Sequence, residues 1–386
     1  MAGTASHLSY REKTNLGSFY TPRKIVLLAY EMLCRSGIAA CDVVLDSSCG
    51  NGAFFSVPFP LGGARFVGGD VDKIALAEAA RSFPHVRLFC KNALSEISRE
   101  RYGILPNESL IIVGNPPYND VTSRVKNSVK SADSLLNVDA EIRTRDLGIS
   151  FLLSFAKLDP EAVLVLHPLS YLIKEGNFKL LAPFMRNYAL RDVLVFSSCE
   201  FAETSRLGGF PVVVALYERS LFGTTYAEIV RRRFRTLEGA EFALSDFDFI
   251  GRHIPKYPQR CRRNSCGKYK FFTMRDINAL KRSRTFITDD SANTIYVPDS
   301  KLAHYCYVDI FKDFAPRLPY FFGNLDVFID ERRFEPLRED FLLLSAQKHP
   351  TIFGKDFGNV SEARIPAARS RVNNYFNELF SAYVHS

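Results

Sequence analysis

The chain has 386 residues, of which 47% are hydrophobic and 24% charged, and its 50 Lys and Arg outnumber 42 Asp and Glu for a net charge of +8. That balance excludes a disordered chain, and no apolar run approaches the roughly 20 residues that span a bilayer. Met1 to Lys13 is polar and lacks the apolar core of a signal peptide, so the expectation is a cytoplasmic protein long enough for two domains.

In chain order, Ile25 to Leu33 reads as an amphipathic helix entered through Thr21-Pro22, with Thr21 as N-cap and Pro22 at the first helical position. Val43-Val44-Leu45 is a short buried strand, Arg65-Phe66-Val67 a second, and Lys73 to Arg81 the helix after it. Val86 to Phe89 is a third strand and Leu110 to Val113 a fourth. Ile149 to Lys157 reads as a helix, followed by strands over Ala162 to Leu166, Val193 to Phe196 and Val212 to Tyr217. The last two are close enough to form an antiparallel pair. This alternation predicts a doubly wound, mostly parallel α/β sheet. Asn119 to Asp146 interrupts it with a polar insert, which predicts a lid or a substrate-gripping loop.

Chemistry concentrates at the predicted strand ends. After the first strand, Asp46 to Phe54 holds a tight turn around Gly50 and Gly52, where the absence of a Cβ lets backbone approach a ligand. Asp46 would repel a pyrophosphate and welcome a cationic ligand, and Phe54 stands where a dinucleotide fingerprint needs a small residue. No Gly-Lys-Ser/Thr follows, which excludes a P-loop. Asp70, at the end of the second strand, is placed to accept both hydroxyls of a ribose; Asp72 reads as the cap of the next helix. Asn92, after the third strand, can bond an adenine edge. The fourth strand runs into Asn115-Pro116-Pro117-Tyr118. Two prolines stiffen this segment and delay any helix, so it offers an amide, carbonyls and an aromatic plate suited to an amino group on a flat ring. It also reads as a strand-terminating turn.

Together these motifs resemble the S-adenosylmethionine-dependent amino-group DNA methyltransferases, in particular the N6-adenine type of the gamma arrangement. The resemblance covers about residues 15–218. It implies a Rossmann-like methyltransferase domain over 1–220 and an α+β target-recognition domain over 221–386. Gly17 to Pro22 resembles the motif that closes over the methionine end of the cofactor, through Tyr20, Thr21 and Pro22. Asp46, Cys49, Gly50, Gly52 and Phe54 match the glycine motif, and Asp70 with Val71 the ribose site. Asn92 with Ala93 falls at the cofactor adenine, where the family usually has Asp. Asn115 to Tyr118 match the catalytic motif, with Asn115 also against the cofactor, and Val163 to Pro168 resembles the strand and turn after it. Phe201 falls where the family sets an aromatic against the extruded base, opposite Tyr118. The resemblance implies a monomeric, site-specific adenine methyltransferase acting on double-stranded DNA, with a restriction endonuclease as a companion. The same tetrapeptide also occurs in methyltransferases of RNA and of a protein glutamine, and a non-catalytic DNA-binding subunit is a further alternative.

Beyond residue 220 the alternation stops. Residues 231–284 hold 15 Lys and Arg against 5 Asp and Glu, net +10, the footprint of a polyanion partner. Arg231, Arg232, Arg233, Arg262, Arg263, Lys268 and Lys270 are the candidate DNA contacts. The eight cysteines are scattered. The close pair Cys261 and Cys266 has no second Cys or His pair at zinc spacing, so no metal is expected.

Overall fold

The computed structural model describes residues 21–38, 40–118, 137–201, 209–259, 267–357 and 362–381. Two compact units emerge, Met1–Phe242 and Ala243–Ser386. No helix among the described residues is long and apolar enough to cross a membrane.

The first unit is built on one sheet. Helix α1 (Arg23–Arg35) buries Ile25, Val26, Ala29, Tyr30, Met32 and Leu33, the stripe that its 3.6-residue period aligns. It starts one residue later than expected: Pro22 is the N-cap, and its carbonyl accepts from Ile25 and Val26. Strands β1 (Val43–Asp46), β2 (Arg65–Asp70), β3 (Arg87–Cys90), β4 (Leu110–Gly114) and β5 (Ala162–Pro168) are parallel. Between β2 and β3 runs α2 (Lys73–Ser82), capped by Asp72, whose carboxylate accepts from Ile74 and Ala75. Before β5 comes α3 (Leu147–Leu158), which is almost wholly buried. Strands β6 (Tyr188–Ser197) and β7 (Pro211–Arg219) form the expected antiparallel pair, with β7 seated between β5 and β6.

The strand order is β3-β2-β1-β4-β5-β7-β6-β8-β9, where β8 is Phe234–Thr236 and β9 is Glu241–Phe242. A short helix, α4 (Tyr226–Arg231), leads into β8. Residues 234–242, read on sequence as part of the C-terminal domain, thus extend the large sheet. The order reverses between β1 and β4, the point where doubly wound sheets open a ligand crevice at their strand ends. Every residue of β1 and β4 is buried, as central parallel strands require.

The second unit pairs β10 (Asp248–Phe249) with β14 (Phe328–Ile329) and forms a three-stranded antiparallel sheet from β11 (Tyr269–Phe272), β12 (Phe286–Ile287) and β13 (Thr294–Val297). Around them lie α5 (Ile277–Arg282), α6 (Leu302–Phe314), α7 (Arg338–Lys348), α8 (Pro350–Phe357) and α9 (Ile365–Phe380). Its interior is aromatic: Tyr307 on α6 meets Phe311, Phe334, Phe341, Tyr375 and Phe376. Most of the aromatics downstream of residue 267 therefore fill a core.

Candidate active site

Asp46, Gly50, Asp70 and the Asn115-to-Tyr118 segment lie at the carboxyl ends of β1, β2 and β4, around the switch point of the sheet. Asp46 ends β1, 2% exposed, and accepts from the Ser48 amide at 3.2 Å. Burial, with a contribution from Asp70, pushes its carboxyl up to about 8. Across the crevice Gly114 ends β4 at φ +153°, and a Cβ there would meet Asp46 Oδ1 at 2.8 Å. Glycine at 114 therefore lets the carboxylate lie flush beside the start of the Asn115 tetrapeptide. Gly50 and Gly52 both take positive φ; a Cβ on Gly50 would meet open space, whereas one on Gly52 would strike Phe55 and Phe83 at 2.8 Å. The first glycine borders the crevice and the second is demanded by packing.

Asp70 ends β2. Its two oxygens accept from Gly50 N at 2.8 Å and Asp72 N at 2.9 Å, which ties the glycine turn to the neighbouring strand. Burial is the main cause that raises its carboxyl above the usual range. Val71 beside it is exposed. The Asn92 side chain closes a local turn: Oδ1 accepts from Leu94 N at 3.0 Å and Nδ2 donates to the Asn137 carbonyl at 2.7 Å. Ala93 is buried next to it.

Two glycine-motif side chains lie in packing. Phe54 belongs to the core under α1, edge-on to Tyr30, which also donates to the Phe54 carbonyl at 2.7 Å. Cys49 packs with Phe55, Leu76 and Val86, and burial pushes its thiol well above the usual range. Thr21 is buried. Tyr20, Arg262, Arg263 and residues 119–136 of the polar insert lie outside the described residues.

Tyr118 is buried, and Phe210, just before β7, stands edge-on to it with ring centroids 6.4 Å apart. Phe201 is packed on Phe196 in the core beneath. The resemblance points to Phe201 for the position facing Tyr118, whereas the ring beside Tyr118 is Phe210, whose sequence signal is an aromatic immediately before an apolar strand. Behind Tyr118 lies a polar layer, largely buried, that no sequence motif marks. Asp146 caps α3 through Gly148 N and accepts from the Tyr171 hydroxyl. A Cβ on Gly148 would lie 2.9 Å from Tyr118 Cβ and 2.5 Å from the Tyr171 oxygen, so this helix start needs glycine to seat both rings. His167 stacks on Tyr171 and lies 2.8 Å from the Tyr217 hydroxyl. Its Nδ1 is 3.0 Å from the Pro168 carbonyl, so Nδ1 carries the proton and Nε2 accepts from Tyr217. Burial pushes this imidazole down to about 4.

The candidate DNA contacts differ among themselves. Arg231 and Arg233 are exposed. Arg232 is half-buried and spends its guanidinium on the Leu190 and Arg191 carbonyls. Lys268 lies over the Tyr269 ring at 5.7 Å. Lys270 is held by the Thr288 carbonyl and Asp290, each at 3.1 Å.

No protein-family profile matches this chain, and no curated protein does. Solved structures align with part of this chain. A modification subunit ascribed to a type I restriction enzyme of Vibrio vulnificus YJ016 aligns at 16% identity and a TM-score of 0.39, over 59% of this chain and 49% of that one. A protein of Listeria monocytogenes described as a class I S-adenosylmethionine-dependent methyltransferase aligns at 13% identity and a TM-score of 0.40, over 57% and 66%. Magnesium protoporphyrin IX methyltransferase of Synechocystis PCC 6803 aligns at 12% identity and a TM-score of 0.31, over 57% and 87%. This chain thus spans about half the length of the Vibrio subunit. The strand order and parallel pairing of the central sheet are themselves the doubly wound, Rossmann-like arrangement expected on sequence.

Proposed function

We propose that this chain is an S-adenosylmethionine-dependent methyltransferase acting on the N6 amino group of adenine in double-stranded DNA. The observation that carries the reading is the convergence of Asp46, Asp70 and the Asn115-to-Tyr118 ledge on one crevice, with Gly114 and Gly50 clearing its walls. The donor set fits the cofactor. Asp46 is a buried carboxylate with no ion pair among the described residues, and a cationic amino-acid end would supply the missing charge. Asp70 keeps lone pairs for ribose hydroxyls. When bound, the cofactor supplies an electrophilic sulfonium methyl group.

The protein's own part is positioning. An adenine inside a duplex must be flipped out at a cost of a few kcal/mol. Tyr118, with Phe210 edge-on beside it, offers a stacking plate worth roughly 1–3 kcal/mol. Asn115 Oδ1 and the Pro116 carbonyl accept the two amino hydrogens, which turns the nitrogen lone pair toward the methyl donor. Pro117 keeps the ledge extended. Methyl transfer to the amino nitrogen would break the S–CH₃ bond of the bound sulfonium, leave a neutral thioether and release an amino proton, so no cysteine nucleophile would be needed; Cys49 is buried with its thiol held well above the usual range. Catalysis then comes from orientation and electrostatics.

The test is transfer of labelled methyl from S-adenosylmethionine to unmethylated duplex DNA, with nucleoside analysis of the product. N6-methyladenine supports the reading and allows the recognition site to be mapped. Cofactor binding without DNA labelling would move the substrate to RNA or a protein glutamine. Absence of cofactor binding would leave a DNA-binding subunit.

A further inference from the structure

The C-terminal unit contains a cluster of nitrogen and oxygen donors that methyl transfer does not use. Antiparallel pairing of β10 with β14 sets Asp248 opposite Ile329. The chain leaving β10 makes one 3₁₀ turn, Ile250–Arg252, and reaches His253. The chain leaving β14 enters a one-turn helix at Glu331. His304, in the first turn of α6, completes the group, and one donor atom from each of the three lies within 4.8 Å of the others.

The hydrogen-bonding partners fix which atoms face inward. His253 Nε2 lies 2.7 Å from Asp248 Oδ2, while the other Asp248 oxygen accepts from Arg252 at 3.3 Å. His253 therefore carries a proton on Nε2, and in its neutral form Nδ1 presents a lone pair. That Nδ1 is 3.7 Å from Glu331 Oε2. His304 is 3% exposed; its Nε2 is 2.9 Å from Glu331 Oε1, and its Nδ1 is buried with no hydrogen-bond partner among the described residues. Two imidazole nitrogens thus converge on one carboxylate. An N–H on His304 Nε2 satisfies one of these contacts, but the His253 Nδ1 lone pair faces the carboxylate and repels it unless a proton or a metal cation lies between.

We infer that His253 Nδ1, His304 Nε2 and a Glu331 oxygen form a site for a divalent transition metal, best matched by Zn²⁺. Two imidazoles and one carboxylate are a recognised zinc donor set, and metal–ligand bonds of about 2.0–2.1 Å in a tetrahedron give ligand–ligand edges of about 3.3 Å. Measured to the one oxygen Oε2, His304 Nε2 lies at 3.2 Å and His253 Nδ1 at 3.7 Å, on either side of that value, and the two nitrogens lie within 4.8 Å of each other. Asp248 is the outer partner that orients His253, as metal-bound imidazoles commonly have; the buried His304 Nδ1 has no such partner among the described residues. His253 and Glu331 are partly exposed, which leaves a solvent side for a fourth ligand. The metal would fasten the ends of the β10–β14 pair to α6, and a ligand bound only to the folded state stabilises it. The three residues are separated by dozens of positions, so no spacing motif reveals them.

The experiment uses the full-length protein stripped with chelator and titrated with Co²⁺ as a spectroscopic stand-in, then with Zn²⁺. One equivalent of Co²⁺ is expected to give tetrahedral d–d bands that Zn²⁺ abolishes, and Zn²⁺ is expected to raise the unfolding temperature. His253→Gln and Glu331→Gln, both at partly exposed positions, remove the bands while the chain stays folded by circular dichroism. Asp248→Asn weakens binding by about 10–100-fold. A Cys261→Ser, Cys266→Ser double variant keeps the bands. The proposal is overturned by absence of d–d bands and of any Zn²⁺-dependent stabilisation. It is equally overturned if the bands carry thiolate charge-transfer absorption and vanish in the double cysteine variant.

Discussion

The two units treat a buried carboxylate in opposite ways. In the N-terminal unit Asp46 is 2% exposed and has a backbone amide at 3.2 Å but no ion pair among the described residues. In the C-terminal unit Asp309 on α6 is fully buried and accepts from Thr285, Ser345 and His349 at 2.6, 2.8 and 3.0 Å, with Lys348 at 3.4 Å. Burial alone would raise both carboxyls. For Asp46 it prevails; for Asp309 the His349 bond and the Lys348 charge outweigh it and hold the group below the usual range. A carboxylate whose counter-charge is built in is a fastening. One buried without a counter-charge, at a strand end beside Gly114, is the group that the proposed function pairs with a cationic ligand.

The sharpest way to break this contrast is Asp309→Asn. Removing one partner of a buried charged cluster costs about 3–5 kcal/mol, so urea unfolding is expected to show a large loss of stability. A loss below 1 kcal/mol would remove the structural half of the argument. Asn115→Ala sits at the other pole: kcat is expected to fall by about 10²–10³-fold, the scale of one oriented transition-state contact, while calorimetric cofactor affinity and unfolding stay near wild type.

Asp46→Asn tests the unpaired carboxylate directly. Cofactor affinity is expected to drop by about 1.5–3 kcal/mol, as for a hydrogen bond to a charged group. The pH dependence has a definite sign. With a folded value of about 8 and an unfolded one of about 3.9, the folded protein holds an extra proton between them. The stability this contributes is fully present below about pH 4 and is lost as pH rises through about 8. Cofactor affinity runs the other way and rises through the same upper value, because the ligand binds the ionised form. Both slopes should flatten in the Asn variant, and a wild-type affinity that is level from pH 6 to 9 would count against an ionising Asp46.

Tyr118→Ala and Phe210→Ala are expected to cost about 1–3 kcal/mol in base capture, read from 2-aminopurine fluorescence at the target position, with cofactor affinity unchanged. Phe201→Leu, in the core, should lower stability and spare base capture. The smallest effect separates exposed from engaged cations. Arg231→Ala should reduce the salt slope of DNA binding by about 1, whereas Lys270→Ala, whose ammonium is held by Asp290 and Thr288, should change it less.

Strand and helix periodicity alone located β1 to β7, the Asp72 cap and the antiparallel closing pair, because burial on both faces writes continuous apolar runs and capping needs a particular side chain at a particular step. The glycine turn, Asp70 and the tetrapeptide were legible for a related reason: each marks the carboxyl end of a parallel strand, where the fold itself brings distant segments together. What only tertiary structure decided is which side chains face the crevice. A 3₁₀ turn after Gly52 rotates Phe54 into the core under Tyr30, while Phe201, after β6, packs on Phe196, and Phe210, just before β7, meets Tyr118. Arg232 and Lys270 carry the same charge as their neighbours in the sequence and are told apart only by the carbonyls and carboxylates they reach. The Asp146–Tyr171–His167 layer and the His253–His304–Glu331 cluster join residues far apart along the chain. Their chemistry depends on distances of a few ångströms that no local pattern encodes.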